Sequence, residues 1–83
     1  MKLKGLLAMK ISLKGLSNKE LAKLFDRAAE TDNKNSAKVI VYRLAHRHHE
    51  SFEAQLRYLG KRAVKRDDYP SFNMVVKLWM GRE

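Results

Sequence analysis

Five cations fall within ten residues at Arg57, Lys61, Arg62, Lys65 and Arg66, with no acid between Glu53 and Asp67. Long cationic side chains gathered on one surface neutralise phosphates and release counterions. That adds affinity for a polynucleotide without reading its bases. Lys10 and Lys14 supply secondary positive charge near the N-terminus, and Tyr58 lies among the five cations as a stacking platform. Taken with the chain's strong positive charge, the cluster leads to the expectation of a small basic regulatory protein. Such a protein contacts DNA or RNA mainly through phosphates, with weak sequence preference. The plainer alternative is a solvated charged face.

Other residues capable of chemistry are sparse. His46, His49, Glu50 and Glu53 stand at i, i+3, i+4 and i+7, a helix flank of plausible ligand types. His49-Glu50 nevertheless lacks the second histidine that a zincin helix requires, and the acids read equally well as surface partners of the histidines. No metal and no cofactor is therefore expected. The four glycines are isolated, so no phosphate-cradling loop forms, and no serine, histidine and acid combine into a nucleophile motif. An enzyme is not expected.

A competing class rests on the last apolar segment. Phe72, Val76, Trp79 and Met80, together with Met74, Val75 and Leu78, give it more apolar surface than one neighbouring helix covers. The surplus suits a second copy of the chain, making a homodimer, or a target protein. In this reading the chain is a protein-interaction module of the kind viruses and mobile elements encode, an inhibitor, anti-factor or adaptor. It would dock a basic face on an acidic target and use Phe72, Val76, Trp79 and Met80 as the partner-binding residues.

Charge and composition bound both readings. The net charge is +9, divided as +5 over residues 1–19, zero over 20–56 and +4 over 57–83. This distribution favours nucleic acid, an anionic surface or an acidic protein. With 45% apolar and 33% charged residues, a folded soluble domain is expected rather than a disordered tail. A chain of 83 residues builds one core and not two. The absence of cysteine excludes disulfides and thiolate zinc sites and makes a cytoplasmic location the default expectation. Lys10 and Lys14 interrupt the only apolar run near the N-terminus, so neither a signal peptide nor a membrane span is expected.

The elements that must position these residues read as all-α, a compact domain of three to four helices. Residues 1–16 form a basic segment packed on the core. They fit either a helix, through Leu3, Leu6, Met9, Leu13 and Leu16, or a short edge strand, through alternation at Met9, Ile11 and Leu13. Residues 17–83 form the helical domain. Ser17-Asn18-Lys19-Glu20 is a capping box, with Leu16 and Leu21 as its hydrophobic staple, and it opens a helix over 18–30. A long helix over 36–66 follows, with the apolar stripe Val41, Leu44, Ala45, His48, Phe52, Leu56, Leu59 and Ala63. It either runs unbroken or is bent or broken at Gly60, as a helix over 37–59 followed by a turn unit to 66; the two readings stand equal. Pro70 then places the start of the last helix at about 71, with Phe72, Val75, Val76 and Trp79 as its main face; it ends at about 80, before Gly81.

Residues Leu16–Phe25 resemble the first helix of a helix-turn-helix, and Ser36–Leu44 has the rhythm of its recognition helix. The motif joins its helices by three or four residues, often with a glycine, whereas the connection here reads as Ala29–Asn35 and has none. Val39, Ile40, Val41 and Tyr42 also leave little polar surface for base edges. A structural helical hairpin is the better reading.

Overall fold

The computed structural model describes residues 15–81, and within them the chain forms four helices joined by three short links. Helix α1 spans Asn18–Glu30, α2 Lys34–His48, α3 Phe52–Lys65 and α4 Tyr69–Met80. There is no strand among these residues, so the domain is all-α. The expectations for residues 1–14, including the edge strand and the roles of Lys10 and Lys14, lie outside the described residues.

Each helix starts on a side-chain cap that satisfies an amide with no partner inside the helix. At α1 the capping box forms as expected. Ser17 Oγ accepts from the Glu20 amide at 3.1 Å, and Glu20 accepts from the Ser17 amide at 2.9 Å. The bond from the Ser17 backbone, then that from its hydroxyl, hold the Glu20 carboxyl below its ordinary range. Asn33, Ser51 and Asp68 cap the other three helices by the same device.

The links share one construction. Asp32, His49 and Asp67 adopt left-handed φ of 53°, 54° and 53°. The next residue then donates its amide back into the finished helix, Asn33 to Ala28, Glu50 to Ala45 and Asp68 to Ala63. This is the Schellman termination, built at all three sites without glycine. It corrects the expectation of one helix over 36–66. The break falls at His49–Ser51, and Gly60 lies inside α3. The stripe read as continuous belongs to two helices facing one core, which is why its period survives the break. His48 is exposed rather than part of the stripe. Because a left-handed residue other than glycine is held against its steric preference, His49→Gly is expected to raise stability by about 0.5–1 kcal/mol. An unchanged urea midpoint would argue that the histidine carries no strain there.

The core is formed by Leu21, Phe25 and Ala28 of α1, Ala37, Ile40, Val41 and Leu44 of α2, Leu56 and Leu59 of α3, and Met74, Val75 and Leu78 of α4. Helix α2 packs on the other three, as the apolar Ile40-Val41 pair requires. Helices α1 and α3 both pack on α2 and α4 and share little backbone contact with each other.

Two further boundaries differ from expectation. The connection between α1 and α2 is Thr31–Asn33, not 29–35, and the outer face of α2 exposes Lys34, Asn35, Lys38 and Tyr42. Helix α4 begins at Tyr69 with Pro70 in its first turn, where the missing amide costs nothing. Packing also buries a different face from the one expected. Ser71, Met74, Val75 and Leu78 are its buried face, while Phe72 and Val76 are about 40% and 39% exposed.

Candidate functional site

The five clustered cations divide into two groups because they lie on two faces of α3. Arg62 and Arg66 turn towards α1. Arg62 Nη1 donates to Asp26 Oδ1 at 2.8 Å and Arg66 Nη1 donates to Asp26 Oδ2 at 2.7 Å, with Asp68 3.4 Å from Arg66. Ser71 Oγ lies 3.0 Å from Asp26 and 2.8 Å from Asp68, so its single proton serves one carboxylate at a time. Burial by itself raises the Asp26 carboxyl. The bonds from Arg62 and Arg66, the Arg62 charge and the Ser71 hydroxyl outweigh it and hold the group below its ordinary value. The Asp26 carboxylate in turn raises Arg66. These two arginines therefore span α1 and α3, the helix pair with little backbone packing, and their charge is largely spent within the fold.

Arg57, Lys61 and Lys65 occupy the other face at i, i+4 and i+8, a row about 12 Å long on a helix rising 1.5 Å per residue. None of the three is in an ion pair with a described residue. They border a groove of about 710 Å³ between α3 and α4. Leu56, Gly60 and Val64 on α3 and Phe72, Val75, Val76 and Trp79 on α4 supply its apolar surface, and no acid is among the described residues that line it. Phe72, Val76 and Trp79 stand at i, i+4 and i+7, one stripe of α4, with Val75 beside it.

A Cβ placed at Gly60, a buried position of α3, meets Val75 Cγ1 at 3.5 Å, ordinary contact, so the position accepts a methyl. Gly60→Ala is expected to raise stability by about 0.5–1 kcal/mol through helix propensity, read as a higher thermal midpoint. A fall would mean that the two helices approach more closely than this spacing.

The seven expected nucleic-acid contacts are thus not one surface. Arg57, Lys61 and Lys65 lie together on the groove, Arg62 and Arg66 bind Asp26, and Lys10 and Lys14 lie outside the described residues. Of the four partner-binding candidates, Phe72, Val76 and Trp79 line the groove, whereas Met80, 70% exposed, is not part of it. Leu56, Gly60 and Val64 were missed as site residues. Val64 is 62% exposed beside Lys61 and Lys65, and a valine outside the core stripe was the available signal. Tyr58 is exposed but is not part of the groove lining.

The break at His49 separates the flank His46, His49, Glu50 and Glu53 into two helices and a link. No group of three or more candidate metal ligands occurs among the described residues. None of the described helices is long and apolar enough to cross a membrane. No protein-family model matches this chain, and comparison with curated proteins and with solved structures likewise finds no match.

Proposed function

We propose that this chain is a helical protein-interaction module that holds an acidic partner protein in the groove between α3 and α4. One observation carries the reading: an apolar groove bordered by three cations that are in no ion pair with a described residue, with no acid among the described residues of its lining. Apolar surface supplies affinity when it leaves water, and the cationic border selects a partner of opposite charge and speeds its approach. Phosphates have no use for the aliphatic surface of Leu56, Val64 and Val76. The chemistry this arrangement suits is binding.

Phosphate contact to DNA or RNA is the second reading. The evenly spaced row Arg57, Lys61 and Lys65 and the exposed Tyr58 favour it. Salt dependence separates the two. Contact of three cations with duplex phosphates makes log affinity fall with log salt at a slope of about −3, whereas burial of apolar surface leaves a large salt-insensitive part. Anisotropy titrations of labelled DNA, RNA and acidic peptides at several salt concentrations are expected to show peptide binding that persists at high salt. Tight oligonucleotide binding with the steep slope, and no peptide binding, would reverse the order of the two readings.

A further inference from the structure

We infer that the occupant of the groove is an amphipathic α-helix of the partner, its apolar stripe against Phe72, Val76 and Trp79 and its acidic flank along Arg57, Lys61 and Lys65. This rests on the protein-interaction reading and specifies what that site takes.

Charge removes two other occupants. A second copy of this chain brings the same cationic border against itself. The segment Met1–Lys14 carries Lys2, Lys4, Lys10 and Lys14 and no acid, so it meets the border with like charge. A wholly apolar helix would strip water from three cations and return nothing, a cost that an acidic flank removes.

Backbone chemistry selects the helix over an extended segment. An extended peptide laid in this groove would bring unpaired amides and carbonyls against an apolar surface. The described residues include no strand edge to pair them. A helix satisfies its own backbone and presents only side chains. Spacing then agrees on both walls. Anchors at i, i+3 or i+4, and i+7 of the partner meet Phe72, Val76 and Trp79, which repeat at that period. Acids at i, i+4 and i+8 lie at the same intervals as Arg57, Lys61 and Lys65.

The test uses the full chain and four probes. They are an 18-residue peptide with leucines on one helical face and glutamates on an adjacent flank, a scrambled peptide of identical composition, poly-glutamate, and a single-stranded oligonucleotide. Trp79 is the only tryptophan and lines the groove, so its emission reports occupancy directly. The amphipathic peptide is expected to bind at least ten-fold more tightly than its scrambled form, to shift Trp79 emission to the blue, and to gain helicity on binding. Val76→Glu, a change at a half-exposed position, is expected to abolish the shift while thermal unfolding stays cooperative. Equal binding of the two peptides would overturn the helix and leave the acidic-partner reading standing. Binding of the oligonucleotide alone, or of none of the acidic probes, would overturn both.

Discussion

Asp26→Asn is expected to destabilise the domain by about 2–3 kcal/mol, seen as a lower urea midpoint with an unchanged slope. The carboxylate receives Arg62, Arg66 and the Ser71 hydroxyl at once, and its side chain is only 13% exposed. Removing one member of a fully buried ion pair costs roughly 3–5 kcal/mol, because the remaining charge is left without a partner. Arg66 is 48% exposed and keeps access to water, which brings the figure down. Against a total of roughly 4–12 kcal/mol for a chain of this size, the loss is substantial. The same group sets an acid limb. Its folded pKa lies below the unfolded value of about 3.9, so its contribution is complete above that value and disappears as pH falls through the folded pKa. Stability of the wild type should therefore drop on acidification below about pH 4, and the drop should be shallower in Asp26→Asn. Parallel pH profiles for the two proteins would show that Asp26 is not the group responsible.

Reversing charge at Lys61 and Lys65 together is expected to weaken binding of the acidic amphipathic peptide by about 100-fold or more, equivalent to roughly 2.7 kcal/mol. Each reversal replaces an attraction at a partly desolvated border by a repulsion. Neither lysine is in an ion pair with a described residue. The stability cost should stay under about 1 kcal/mol, most of it from a glutamate in the last turn of α3, where the helix dipole favours cations. Reversal at Arg62 and Arg66 should behave oppositely, damaging stability through Asp26 before any effect on binding can be measured. Calorimetry and urea titration of both double variants test this division. Loss of binding without loss of stability in the Arg62 and Arg66 variant would mean that the functional face is the one towards α1.

How much was legible follows from the range of each interaction. The α1 start and its capping box were readable because Ser17 and Glu20 lie three residues apart. The all-α class was readable because apolar residues recur at helical period through most of the chain. The break between α2 and α3 was not. Its left-handed residue is His49 rather than glycine, so composition carried no sign of it, while Gly60, the residue that looked like a break, is a site of close helix packing. The rotation of α4 was likewise hidden. An apolar sequence on nearly all sides does not say which side faces the core, and Pro70 in the first turn moved the start by two residues.

Local sequence by itself determined that the chain is strongly basic, that its described part is helical and that α1 is capped at Ser17, because propensity, capping and charge act over a turn or less. Tertiary structure alone decided which cations remain outside ion pairs and which apolar residues form the groove. Asp26 lies 36 residues from Arg62 and 40 from Arg66, and only packing of α1 and α3 against α2 and α4 brings them to bonding distance. That pairing divides the basic cluster, and the turn of α4 that buries Met74 and Val75 leaves Phe72, Val76 and Trp79 beside the remaining cations. Both depend on contacts between distant segments, which no local pattern encodes.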